Sequence, residues 1–334
     1  MNKMYTHIKG CGAYLPKRVM TNESLCQFLD TSNEWILERT GIEQRHIIAN
    51  DQQTSDLAVA AAQEALLDAG LSIDDIDVLI VATTTPDMVF PSTASIVQHK
   101  LGGKGFPAWD IQAVCSGFVF GLAQLDGMMR AGMYRRALLI GAESMTRLLD
   151  WNDRNTCVLF GDGAGAVVLE CNEEEGGILG SVLHSDGAYC SLLQAKKNHS
   201  GASPDQLDSL LNPVHAVAVE MRGNEVFRIA VRKLGEVVEE ILELHNMKHA
   251  DIDWLIPHQA NQRIINATAK KLSMPLERVA MTVNKHANTS SASVPLALHD
   301  LYKKGSLQEG QMLLLEAFGA GFAWGANLIR WSKK

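Results

Sequence analysis

The chain repeats itself. Asp75-Ile76-Asp77-Val78-Leu79-Ile80 is echoed by Asp251-Ile252-Asp253-Trp254-Leu255-Ile256. Each follows an amphipathic helical stretch, Leu57 to Ala69 in one case and Ile229 to His245 in the other. Apolar runs bounded by polar residues read as buried strands. The echo continues in the same order. Cys115 to Gly132 and Asn288 to Gly305 read as helices closed by a glycine C-cap. Ala137-Leu138-Leu139-Ile140 and Met312-Leu313-Leu314-Leu315 follow as strands, and then Gly165-Ala166-Val167-Val168-Leu169 matches Gly325-Ala326-Asn327-Leu328-Ile329. Colinear repetition of this kind predicts a duplicated α/β architecture of two βα-rich halves, 1–171 and 172–334, stacked as pseudo-symmetric copies.

Duplication constrains where chemistry can gather. The same offset relates Gly132 to Gly305 and Cys115 to Asn288, so both of the latter are expected at the entrance of a central helix. The first of these helices carries Phe118, Val119, Phe120, Leu122, Leu125, Met128 and Met129 and is apolar nearly all round, which predicts burial. A cysteine at the N-terminus of such a helix has its thiolate favoured by the dipole and by unpaired backbone N–H groups. His258, after Trp254-Leu255-Ile256-Pro257, stands at the C-terminal edge of a strand, where ligands of α/β sheets collect. Alone, His258 or Asn288 reads as a satisfied structural group. Together with Cys115 they supply one nucleophile and two hydrogen-bond donors, a set suited to acyl transfer and to stabilising an enolate. The other cysteines, Cys11, Cys26, Cys157, Cys171 and Cys190, form no C-x-x-C pair and read as buried structural thiols of a reducing cytoplasm.

Several segments carry a specific resemblance. They are Thr31-Ser32-Asn33-Glu34-Trp35-Ile36, Arg39-Thr40-Gly41-Ile42, Val114-Cys115-Ser116-Gly117-Phe118 and Phe160-Gly161-Asp162-Gly163-Ala164-Gly165-Ala166. Gly223-Asn224-Glu225-Val226-Phe227, Pro257-His258-Gln259-Ala260-Asn261, Asn288-Thr289-Ser290 and Leu315-Glu316-Ala317-Phe318-Gly319 continue the series. Over essentially its full length the chain resembles the β-ketoacyl-acyl-carrier-protein synthase III family of thiolase-superfamily condensing enzymes. The resemblance implies a thiolase-like fold with layers in the order αβαβα. It implies an acyltransferase that joins a short acyl-CoA, acetyl-CoA above all, to malonyl-acyl carrier protein with loss of carbon dioxide, starting fatty-acid synthesis. A priming enzyme of a secondary-metabolite pathway, using a different acyl-CoA, is the alternative.

The same resemblance implies the site. Cys115 would carry the acyl group, with its own N–H and that of Ala320 holding the oxyanion. His258, neutral, and Asn288 would donate to the malonyl thioester oxygen. Trp35 and Arg154 would sandwich the adenine of CoA, with Arg39, Asn224 and Asn261 along the pantetheine channel. Arg228, Arg263, Lys270 and Lys271 would dock the acidic carrier protein. A homodimer is implied, in which Phe90 closes the partner's acyl pocket. No cofactor or metal is implied, acyl-CoA being a substrate. Three positions depart from the family pattern, with Ala287 and Ala320 standing where glycine is usual and Arg222 where a small residue is common.

Competing signals are weaker. Gly161-Asp162-Gly163-Ala164-Gly165 runs into a strand-like stretch, so it opens no helix to hold a pyrophosphate. His245 and His249 lack a Glu in the H-E-x-x-H arrangement. Cys115 lacks the leading glycine of a nucleophile elbow. With 46% hydrophobic residues, 20% charged residues and a net charge of -8, the composition suits a soluble globular protein and opposes a general nucleic-acid binder. The N-terminus has no signal-peptide core, and the apolar runs are strand-sized, so a cytoplasmic chain without membrane spans is expected.

Overall fold

The computed structural model describes residues 3–195 and 218–333. Two sheets dominate it, and they share one topology. In the first, the strands run in the order Tyr5–Tyr14, Asp162–Asn172, Arg136–Ser144, Val78–Ala82, Ala108–Ile111. In the second the order is Gly177–Ser185, Ala323–Arg330, Met312–Gly319, Trp254–Pro257. Both begin with two antiparallel pairings and then turn parallel. A parallel bridge from Leu255 to Val279 takes the fifth place in the second sheet, where Leu79 pairs with Ala108 in the first.

Patterning explains the layers. Strands Val78–Ala82 and Met312–Gly319 are buried along their whole lengths, as expected of strands covered on both faces. Their alternate residues serve different cores. Val78, Ile80, Leu313 and Leu315 face inward onto helices Gly117–Arg130 and Ser293–Lys303, with Phe118, Leu122, Val294 and Leu298 between the sheets. Leu79 and Val81 face outward onto helix Thr54–Ala69, and Leu314 and Phe318 face outward onto helix Gly223–Leu244. The order is helix, sheet, central helices, sheet, helix, the layered duplicated arrangement read from the sequence. No helix among the described residues is long and apolar enough to cross a membrane.

The symmetry corrects one inference. Neither central helix begins where the sequence suggested. The first is preceded by a 3-10 turn, Val114–Ser116, and starts at Gly117. The second is preceded by the turn Ser290–Ala292 and starts at Ser293. Both turns open on a non-glycine residue in the left-handed region, Val114 at φ 48° and Ser290 at φ 50°. Cys115 therefore corresponds to Ser291, and Asn288 lies one helical turn upstream. Counting back from the terminal glycines misplaced the match because the second helix is 11 residues long and the first 14.

Candidate active site

Cys115, His258 and Asn288 line one cavity of about 480 Å³. They are 5%, 6% and 7% exposed, so each is buried yet reachable through that cavity.

Cys115 sits in the turn between strand Ala108–Ile111 and the central helix, with Val114 in a conformation that a β-branched residue rarely adopts. Strand Met312–Gly319 ends against it. A Cβ on Gly319 would lie 2.9 Å from the Cys115 nitrogen and 3.0 Å from the Ala113 oxygen, so only glycine fits. Burial works against the expected thiolate. Burial pushes the thiol up to about 12; the nearby Ser290 hydroxyl and the residue's own N–H work against that shift, and the Glu143 charge adds to it. Desolvation of the sulfur opposes the thiolate that the helix end favours.

His258 follows the last residue of strand Trp254–Pro257, its N–H donating to the Glu316 carbonyl at 2.8 Å. Its Nδ1 lies 2.6 Å from the Ser293 hydroxyl, which already accepts from the Gln259 N–H at 3.4 Å. With the Ser293 hydrogen turned to Nδ1, the imidazole carries its proton on Nε2, the tautomer that leaves a donor for the cavity. Burial pushes the imidazole down to about 3, so it is neutral. Gln259 fixes this segment from behind, donating to the Pro257 and Ala280 carbonyls and accepting from the N–H groups of Thr282 and Val283.

Asn288 is gripped by the Phe160–Ala166 segment. Its N–H donates to the Leu159 carbonyl at 2.9 Å, and its carbonyl accepts from Gly161 at 3.0 Å. Its Oδ1 accepts from the Ser290 N–H at 2.8 Å, which fixes the amide orientation and leaves the Nδ2 hydrogens for the cavity. The preceding Ala287, at φ 57° and ψ −161°, holds a backbone conformation that essentially only glycine adopts. The departure at Ala320 is milder. Ala320 is absent from the left-handed region, and Gly321, at φ 133°, supplies the glycine-only turn.

The remaining expected positions divide. Trp35, Arg39, Asn224, Asn261 and Arg263 line the cavity with the trio. Asn261 is also the N-cap of helix Gln262–Lys271, accepting from the Arg263 N–H and donating to the Arg39 carbonyl. The Arg39 and Arg154 guanidinium groups lie 4.5 and 5.2 Å from the Trp35 ring centre. Arg154 is tied to Asp30 and does not line the cavity. Arg228, Arg263 and Lys270 are exposed, and of the three Arg263 lines the cavity. Lys271 also is exposed, but its stem packs on Gly235 and its amine donates to the Arg232 carbonyl. Arg222 is exposed beside the mouth and caps no helix with its side chain. Phe90, 82% exposed, lies away from this chain's own cavity. Cys190 is exposed and Cys26 half-buried, contrary to the structural reading given to both. The helix bearing His245 stops at Leu244, so His245 and His249 share no helical face.

Sequence reasoning missed Ser293, Gln259, Glu143 and Glu316. The signal for Glu316 was present: a carboxyl inside an otherwise apolar strand. It is fully buried, neither oxygen finds a protein partner, and burial pushes it up to about 8.

Known proteins resemble this chain in sequence and in fold. Residues 109–187 match the family described as 3-oxoacyl-[acyl-carrier-protein] synthase III, and residues 242–331 match that family's C-terminal part. The chain is 50% identical over 329 residues to a beta-ketoacyl-[acyl-carrier-protein] synthase III of Xanthomonas campestris pv. campestris, covering 98% of this chain and 99% of the relative. It is 54% identical over 328 residues to the enzyme of that name in Alkalilimnicola ehrlichii, covering 98% and 99%. The crystal structure of 3-oxoacyl-[acyl-carrier-protein] synthase III from Aquifex aeolicus superposes with a TM-score of 0.90 at 44% identity, covering 98% and 100%. A priming beta-ketosynthase of the R1128 polyketide pathway superposes with a TM-score of 0.92 at 33% identity, covering 99% and 98%.

Proposed function

The chain belongs to the 3-oxoacyl-[acyl-carrier-protein] synthase III family, and from that premise we propose that it condenses a short acyl-CoA with malonyl-acyl carrier protein, releasing carbon dioxide and starting fatty-acid synthesis. The observation that carries the reading is the single cavity that Cys115, His258 and Asn288 line together. Identities of 50% and 54% to synthases III, against 33% to the polyketide priming enzyme, leave the secondary-pathway alternative unfavoured.

In the first half-reaction Cys115 attacks the acyl-CoA thioester. The N–H groups of Cys115 and Ala320 receive the oxyanion, and CoA departs through the channel lined by Trp35, Arg39, Asn224 and Asn261. Trp35 and Arg154 would hold the adenine of CoA between them. In the second half-reaction His258 and Asn288 donate to the malonyl thioester oxygen while carbon dioxide leaves, and the resulting carbanion attacks the acyl-cysteine. Loss of carbon dioxide makes the nucleophile, so no strong base is required, in keeping with a neutral imidazole. Arg228, Arg263, Lys270 and Lys271 would steer the acidic carrier protein, with Lys271 the least free of the four. The scheme uses no cofactor. We place the enzyme in the cytoplasm, as two halves, 1–171 and 172–334, and as a homodimer in which Met88, Val89 and Phe90 reach the partner. Those three apolar side chains are 49%, 75% and 82% exposed, a patch that a second copy would cover.

Acyl transfer is tested by intact mass and peptide mapping after acetyl-CoA. One acetyl group on Cys115 is expected; acetylation elsewhere, or none, overturns the reading.

A further inference from the structure

Strand Arg136–Ser144 turns Ala137 and Leu139 inward onto the central helices, and its alternation carries Gly141 and Glu143 to the same face. A Cβ on Gly141 would meet the Ser291 carbonyl at 2.4 Å, so the strand lies hard against the turn Ser290–Ala292. Glu143, fully buried, is the one acidic residue of that strand. Its Oε2 accepts from the N–H groups of Thr84 at 3.0 Å and Thr85 at 3.2 Å and from the Thr85 hydroxyl at 2.7 Å. Three donors from one segment pin that oxygen. Its Oε1 accepts from the Ser290 hydroxyl at 3.0 Å, while the Ser291 hydroxyl divides between Oε1 at 3.0 Å and the Ala82 carbonyl at 2.7 Å.

What the carboxylate holds is a turn that does not hold itself. Asn288 stands between two residues in the left-handed region, Ala287 at φ 57° and Ser290 at φ 50°. Residues other than glycine keep such conformations only where the surrounding structure fixes them. Upstream, the fixing is done by backbone: the Asn288 N–H donates to the Leu159 carbonyl at 2.9 Å, and its carbonyl accepts from Gly161 at 3.0 Å. Downstream stands Ser290, whose N–H donates to the Asn288 Oδ1 at 2.8 Å and whose hydroxyl reaches Glu143. The direction of that N–H, and with it the orientation of the Asn288 amide, depends on where Ser290 is held.

We propose that Glu143 is a positioning residue for Asn288: its carboxylate holds Ser290 and Ser291, the Ser290 N–H holds Oδ1, and the Nδ2 hydrogens are kept for the malonyl thioester oxygen. This rests on Asn288 serving the second half-reaction as proposed above. Glu143 does not line the cavity, so it acts through the two hydrogen bonds, 3.0 and 2.8 Å long, that separate it from the Asn288 amide. Glutamine can do the same work. Its oxygen accepts from Thr84 and Thr85 as Oε2 does, and its amide hydrogens go to the lone pairs of the two serine hydroxyls, Ser291 keeping its own hydrogen on Ala82. Alanine leaves the serines with nothing to anchor them on that side.

Carbon dioxide release from malonyl-acyl carrier protein, measured on the full chain, tests these contacts through a double-mutant cycle. Glu143→Ala should release it about 10²-fold more slowly than the parent, the cost of a misplaced donor. Combined with Asn288→Ala it should be no slower than Asn288→Ala alone, because the two act through one amide. Glu143→Gln should release carbon dioxide at close to the parent rate. Ser290→Ala together with Ser291→Ala keeps Glu143 and its threonine bonds, and should reproduce the loss even where Glu143→Ala does not fold. Losses that multiply in the double variant, a glutamine variant as slow as the alanine one, or a serine pair variant at the parent rate overturn the positioning role and leave the function standing. A parent that neither takes an acetyl group on Cys115 nor releases carbon dioxide overturns both.

Discussion

At the scale of single residues, hydrogen bonding decides what each polar group offers the chamber. The Oδ1 of Asn288 is occupied by Ser290, so only its donors are on offer, and donors at a malonyl thioester oxygen matter only for the second half-reaction. Asn288→Ala should still be acetylated by acetyl-CoA but should release carbon dioxide from malonyl-carrier protein about 10²–10³-fold more slowly. Radiolabelled carbon dioxide release beside single-turnover acylation separates the two; decarboxylation at the parent rate would make Asn288 structural. Glu316 makes a different prediction. Its folded-state pKa, about 8, lies above the ordinary 4.5, so the native chain binds its proton more tightly than the unfolded chain. Its contribution to stability is complete below the ordinary value and is lost as the pH rises through about 8. Urea titration of Glu316→Gln should show a smaller loss of stability between about pH 5 and about pH 8 than the parent, the difference being on the order of a few kcal/mol. Parallel curves for the two proteins would mean that Glu316 is not held neutral.

At the scale of elements, the site is made where strand ends, turns and helix starts converge. Gly319, last residue of its strand, is pressed against the backbone of the Cys115 turn, and backbone atoms cannot step aside as a flexible side chain can. Gly319→Ala should therefore fold with a loss of about 1–3 kcal/mol and acetylate about 10²-fold more slowly, because the oxyanion donors are displaced. Melting curves and single-turnover acylation check the two parts, and an unchanged acylation rate would detach this strand end from the oxyanion site. The sequence made much of this level legible. Buried strands announce themselves as short apolar runs, and a duplicated order of such runs leaves few architectures, so the two sheets and the helices between them were readable. The convergence of Cys115, His258 and Asn288 on one cavity was readable too, through local motifs and strand ends. Register inside a repeat was not: a helix shorter by one turn slid Asn288 into the place of Ser291. Contacts across the halves were equally hidden. Glu143 and Ser290 are 147 positions apart, and nothing local in either segment says that they meet. The thiol's burial also depends on layers packed from both halves, so the desolvation that opposes its ionisation was hidden from a reading of the helix end alone.

At the scale of the whole molecule, the apolar loop at Met88–Phe90 and the shared chamber set different expectations. The loop follows Thr83–Thr85, whose groups are bound by Glu143, so its base is fixed while its tip is exposed. If the tip seats in a second copy, Phe90→Ala should lower dimer affinity by at least about tenfold, the truncation of a buried aromatic anchor costing about 2 kcal/mol or more. It should also widen acyl-chain preference. Analytical ultracentrifugation and a panel of acyl-CoAs test the two, and an unchanged dimer with unchanged preference would free Phe90 of both roles. The chamber has a stricter consequence. Cys115, His258 and Asn288 line a single space with Trp35, Arg39, Asn224 and Asn261, so under the proposed scheme CoA and the carrier's arm compete for one passage. Steady-state rates should then follow a double-displacement law, with parallel reciprocal plots when one substrate is varied at fixed levels of the other. Traffic is regulated by occupancy: each visitor must vacate before the next is admitted, and the covalent acyl group is the only thing left behind to show that the first has been.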